Sequence, residues 1–115
     1  MDLSNSCLSK TILYKSNLQK VNLYKANLLW ANLRGANLRG ADLRLADLRL
    51  ADLREIDLHE VDLKGANLMF TKFDEEQITY LLNYDLSKSL VYVEECGGFI
   101  DYLKYNMKKD LYHNT

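Results

Sequence analysis

Leucine occupies every fifth position from Leu3 to Leu68, fourteen times in succession, and Phe73 continues the series. A period of five matches neither the 3.6-residue repeat of an amphipathic helix nor the two-residue alternation of a strand. A fixed period held over so long a run marks a repeat architecture. In such a fold each unit buries its apolar side chains only by stacking on its neighbours. Proline is absent from all 115 residues. That suits a chain in which nearly every amide donates to a neighbouring coil, because proline has no donor to offer.

Set in register on the leucine, the pentads from 16 to 70 read SNLQK, VNLYK, ANLLW, ANLRG, ANLRG, ADLRL, ADLRL, ADLRE, IDLHE, VDLKG and ANLMF. MDLSN, SCLSK and TILYK before them, and TKFDE after them, keep the register more loosely. From Ser6 onward, two places before the leucine stands a small or β-branched residue. One place before it stands Asn or Asp in twelve of the fifteen pentads. Short polar side chains of this kind bond nearby backbone in tight bends. The two places after the leucine vary freely.

This run resembles the pentapeptide-repeat family, whose motif is A(D/N)LXX, over residues 1–75. The resemblance implies an all-β solenoid: a right-handed quadrilateral β-helix with one pentad per side, four pentads per coil and just under four coils. Its core would be Leu18, Leu23, Leu28, Leu33, Leu38, Leu43, Leu48, Leu53, Leu58, Leu63, Leu68 and Phe73. Each such side chain contributes roughly 1.5–3 kcal/mol when fully buried. The second inward position stays small because four sides converge on a narrow interior, where overpacking is costly.

A stack of coils exposes apolar side chains and unpaired backbone at both ends. The sequence divides accordingly into a repeat domain, 1–75, and a mainly helical C-terminal cap and interface segment, 76–115. Asp74-Glu75-Glu76-Gln77 reads as a helix start with Asp74 as N-cap. A helix over about 75–84 follows, with Ile78, Leu81 and Leu82 on one face to cover the last coil. Residues 86–95 fit helix or strand. Phe99 to Lys109 reads as a further helix after Gly97-Gly98. Six of the eight tyrosines fall in this segment, Tyr102 and Tyr105 among them, and tyrosine is an interface-enriched residue. The N-terminal end lacks a comparable cap, so the layer of Leu3, Leu8, Leu13 and Leu18 is expected to be partly open.

Residues twenty apart stack on one face of a four-sided coil. One face then collects Trp30, Leu50 and Phe70, flanked by Leu29 and Met69, with Leu45 on the adjoining face. An outward apolar ladder has no role in the core, and contiguous exposed apolar surface marks an interface. A second copy of the chain is the favoured cover, ahead of the chain's own tail folding back and of an unknown protein partner. Arg34, Arg39, Arg44, Arg49 and Arg54 spiral around the coil, with Asp42, Asp47, Asp52, Asp57 and Asp62 on the same outer surface to pair with them. Lys10, Lys15, Lys20 and Lys25 ring the basic end: residues 1–40 carry six basic residues and one acidic, and residues 41–75 five basic and nine acidic. That ring is a candidate anion contact. Its commoner role is to guard an exposed edge against aggregation.

Function classes narrow from the same residues. No nucleophile–base pair, phosphate-cradling loop or metal cluster is present, so neither an enzyme nor a cofactor is expected. Cys7 and Cys96, with His59 and His113, make a poor metal set. No apolar run approaches 18 residues, so no membrane span is expected. The start MDLSNSCLSK lacks the pattern of a secretion signal, which points to a cytoplasmic protein with free thiols. The favoured reading is a non-enzymatic interaction or scaffold module, homodimeric through its apolar face or its tail. Some relatives mimic duplex DNA and bind DNA gyrase, conferring quinolone resistance. A net charge of −1 and the short repeat run disfavour that role here. Binding of nucleic acid or an acidic protein through the lysine ring is the third reading, with nucleic acid disfavoured by the near-zero net charge.

Overall fold

The computed structural model describes residues 1–82. The segment 86–95, the helix expected over 99–109, Cys96, Tyr102 and Tyr105 lie outside the described residues.

The chain winds so that residues twenty apart pair as parallel bridges. Asp2 pairs with Asn22, Asn22 with Asp42 and Asp42 with Asp62 on one side, and Cys7, Asn27, Asp47 and Asn67 follow in the same way on the next. The bridging residue is the one before the leucine, in most pentads Asn or Asp. Strand character is therefore confined to one residue per pentad, is absent from 56–60, and each pentad up to 66–70 ends in a turn.

A single pentad shows why five residues suffice. The amide of Leu28 donates to the carbonyl of Asp47 in the coil above (2.8 Å), and that of Trp30 to Arg49 (3.0 Å). Asn27 donates to Ser6 in the coil below (2.9 Å), and Ala31 closes the turn on Leu28 (3.0 Å). The amide of Leu29 has no coil to reach. It donates instead to Oδ1 of Asn27 (3.1 Å). All twelve Asn and Asp residues at this position accept the amide two residues on in the same way. The polar residue before the leucine thus satisfies the one donor that stacking leaves over, as buried and half-buried amides require.

The turn sets the corner. Its third residue has positive φ at Asn5, Lys10, Lys15, Lys20, Lys25, Trp30, Leu45, Leu50, Glu55 and Phe70, between 55° and 63°, and at Gly35, Gly40 and Gly65. A turn of this type suits Gly or Asn at that place. Other residues cost roughly 1–2 kcal/mol each there. Stacking offsets that cost at the corners from Asn5 to Leu50, whose amides donate to the next coil.

Inside, the leucines from Leu23 to Leu68 are buried together with Ala26, Ala31, Ala36, Ala41, Ala46, Ala51 and Ala66. Two expectations shift. Leu18 is buried, so only Leu3, Leu8 and Leu13 are half-open at the N-terminal end. Phe73 is half-buried and packs against the core from its rim, because above it stands a helix and no further coil.

That helix, α1, spans Glu75–Leu82. Asp74 and Gln77 cap it reciprocally: the Gln77 amide donates to Asp74 Oδ1 (3.0 Å), and the Asp74 amide to Gln77 Oε1 (2.9 Å). Ile78 and Leu81 are buried against the last leucine layer. Gln77 is buried as well, and its Nε2 donates to the carbonyls of Leu53 (2.6 Å) and Ile56 (2.8 Å). Asp74 Oδ2 accepts the Glu55 amide (2.9 Å), where a further coil would have supplied a backbone carbonyl. The cap imitates the next coil with side chains.

Candidate interaction surfaces

The corner column on one face runs Lys10, Trp30, Leu50, Phe70 from the first coil to the last. Trp30 is 52% exposed and Phe70 57%, and Leu45 on the adjoining corner is also exposed. Leu29, Leu50 and Met69 are half-buried, and Met69 packs against the core. The ladder is therefore less open than its sequence spacing implies. Trp30 and Phe70 project, and Leu29, Leu50 and Met69 form the floor around them. Among the described residues the remaining exposed large apolar side chains are Met1, Ile12 and Tyr14 in the first coil.

Lys10, Lys15, Lys20 and Lys25 are all exposed. Lys15 lies over the Tyr14 ring (5.3 Å) and Lys25 over Tyr24 (5.4 Å), which Arg44 also faces (5.1 Å). The ring is thus partly occupied by local cation–π contacts, worth about 0.5–1 kcal/mol each at exposed sites.

Arginine is committed elsewhere. Arg44, Arg49 and Arg54 each make a bidentate pair with the aspartate two residues before, at 2.7–2.9 Å. Arg34 and Arg39 reach across one coil to Glu55 (2.9 Å) and Glu60 (2.6 Å). The arginine hydrogen bonds hold the carboxyls of Asp42, Asp47 and Asp52 below the usual carboxylate range against the opposing effect of desolvation. Each of these aspartates serves both its own turn and an arginine. The exterior is consequently balanced in charge at short range.

One side departs from the regular ladder. Asn37, bridged to Asn17, does not pair with Asp57, Gly40 donates to Glu60 where the register of its neighbours would place residue 59, and Glu60 lacks the positive φ of the other corners. Above this side stands α1, and the pentad 56–60 is held by Gln77 on Ile56 and by Tyr80 against the His59 ring, centroids 4.3 Å apart. Two open clefts of about 420 Å³ flank it. His59 Nδ1 meets Asp57 Oδ1 at 2.7 Å, and both side chains are largely in solvent. Among the described residues no three His, Cys, Asp or Glu side chains gather as a metal-binding group. No helix there is long and apolar enough to cross a membrane.

The displaced pentad, the positive-φ corners and the Gln77 pin were missed in the sequence. Ile56 and Val61 replacing alanine beside 56–60 were the available signal for the first. The glycines at 35, 40 and 65 were the signal for the second.

The profile of the family described as pentapeptide repeats matches residues 2–35 and 41–75 in eight copies. A search of curated proteins gave no match. Similar solved structures include QnrB1, described as a plasmid-mediated fluoroquinolone resistance protein, at 30% identity over 70% of this chain and 42% of that one, TM-score 0.43. Rfr23 from the cyanobacterium Cyanothece 51142 is 38% identical over 64% of this chain and 50% of its own, TM-score 0.32. A protein of the Arabidopsis thaliana thylakoid lumen is 26% identical over 70% of each chain, TM-score 0.39. The chain spans half or less of the first two.

Proposed function

Because the chain belongs to the pentapeptide-repeat family, we propose that it is a right-handed quadrilateral β-helix of just under four coils that works as a non-enzymatic, cytoplasmic interaction module. Its working surface is the ladder of Trp30, Leu50 and Phe70, and its partner is a second copy of the chain. The observation that carries this reading is Trp30 itself. A tryptophan at a corner with φ of 63° costs the fold conformational energy, yet leaves about half of its ring in water. Trp and Phe held in this way fit the central anchors of a protein interface. The convex rod, with its charge-balanced exterior, provides faces rather than an enclosed pocket. The arginine–aspartate pairs also supply none of the dense negative charge that duplex mimicry needs.

Light scattering on the full chain tests it. The wild type should be a dimer. Trp30→Asp should be a monomer, and so should Trp30→Lys, which places at this corner a residue already found at Lys10, Lys15, Lys20 and Lys25. Circular dichroism should show both variants folded. A wild-type monomer, or a dimer indifferent to both substitutions, overturns the reading. Trp30 emission gives a second measure: a red-shifted, readily quenched signal in the intact protein would place Trp30 outside any interface.

A further inference from the structure

Resting on the ladder as a self-association surface, we infer that the two copies lie side by side and antiparallel, so that Lys10 of one covers Phe70 of the other. A twofold axis in the plane of the ladder has two settings. If it runs along the solenoid, each residue of the column meets itself: Trp30 on Trp30, Phe70 on Phe70 and Lys10 on Lys10. Two projecting rings then hold the floors apart, and two ammonium groups approach each other. If it runs across the solenoid, midway between Trp30 and Leu50, the column meets itself in reverse. The projecting Trp30 falls on the half-buried Leu50, and Lys10 falls on the exposed Phe70 ring. Projection meets recess, as well-packed interfaces require. The one cation of the column meets an aromatic face.

Charge along the axis points the same way. Residues 1–40 carry a net +5 and residues 41–75 a net −4. Parallel rods would align like ends, whereas antiparallel rods set the basic end of each beside the acidic end of the other. Lysine at position 10, the polar member of an otherwise apolar column, then has a role beyond guarding the edge.

Cysteine cross-linking reads the arrangement. In a background with Cys7→Ser and Cys96→Ser, the variants Ser9→Cys and Met69→Cys are oxidised separately and mixed. Layers are roughly 4.8 Å apart, so positions 9 and 69, three layers apart, differ in height by roughly 14 Å. The mixture should give the disulfide between the two variants, and neither variant should cross-link to itself. Self-cross-linking of Ser9→Cys establishes the parallel arrangement and overturns the inference while leaving the ladder dimer intact. Absence of all cross-links, with a dimer still present by light scattering and lost in Trp30→Asp, also overturns it. A monomer, or a dimer unaffected by Trp30→Asp, overturns the ladder reading and this inference together; the second outcome would shift attention to the tail as the cover. As a second measure, Lys10→Glu should weaken the dimer about tenfold through its two symmetric aromatic contacts. In a parallel dimer the same change exchanges one like-charge contact for another, and unchanged affinity would again refute the antiparallel form. Rising salt should weaken an antiparallel dimer and strengthen a parallel one.

Discussion

Removing the Gln77 side chain tests whether the cap stands in for a coil. Gln77→Ala deletes three hydrogen bonds: two from Nε2 to the carbonyls of Leu53 and Ile56, and one accepted by Oε1 from the Asp74 amide. Each contributes about 1 kcal/mol net, and a carbonyl left buried without a donor costs at least as much. The loss should therefore be about 3 kcal/mol, larger than a surface substitution and comparable to a core truncation. In urea, followed by far-ultraviolet circular dichroism, a slope of about 1.5 kcal/mol/M turns that loss into a midpoint lower by about 2 M. Gln77→Glu separates the parts. It keeps the acceptor for Asp74 but turns a carboxylate toward two carbonyl oxygens. At neutral pH it should be at least as unstable as Gln77→Ala. Burial against those oxygens raises the folded-state carboxyl pKa above its unfolded value. The missing stability is thus present below the unfolded value and lost as pH rises, and the gap to wild type should narrow between pH 7 and 5. A Gln77→Ala midpoint within about 0.3 M of wild type, or roughly 0.5 kcal/mol, would refute the claim that these side-chain bonds replace a missing coil.

Leu48→Ala, at a position with no exposure between Leu28 and Leu68, should cost about 2–5 kcal/mol by the same urea measurement, whereas Leu8→Ala in the half-open first layer should cost less than half as much. Asp52→Asn keeps the acceptor for the Arg54 amide and loses the bidentate pair, so it should stay within about 1 kcal/mol of wild type. Asp52→Ala loses both, and should cost about 1 kcal/mol more. The carboxyls of Asp42, Asp47 and Asp52 titrate below their unfolded values, so their stabilisation is complete above the unfolded carboxylate pKa near 4 and disappears as pH falls through the folded values. Urea midpoints measured from pH 5 down to 2.5 should fall, and less so in Asp52→Asn.

The coil was legible in the sequence because its constraint is local and repeated. Leucine at every fifth place and a small residue two before it declare which side chains point inward. Asn or Asp before the leucine declares a bend, and the structure adds the reason: that side chain accepts the amide of the residue after the leucine. Corner geometry was harder to read. Lysine, tryptophan and leucine at seven of the ten positive-φ positions that are not glycine look like free variation, because the conformation is imposed by stacking and only glycine at 35, 40 and 65 hints at it. The depth of the ladder's floor was hidden for a related reason. Leu29, Leu50 and Met69 stand next to projecting rings, and how far each sinks depends on neighbours twenty residues away.

The sequence by itself determined the period, the inward side chains and the helix start at Asp74, since each depends on residues within a few places of one another. The tertiary structure alone decided the rest. It turned Gln77 from a capping residue into a buried bridge to Leu53 and Ile56, drew Phe73 to the rim of the core, and displaced the pentad 56–60 beneath α1. Those outcomes rest on contacts between layers, and a spacing of five residues carries no record of what lies above the last one.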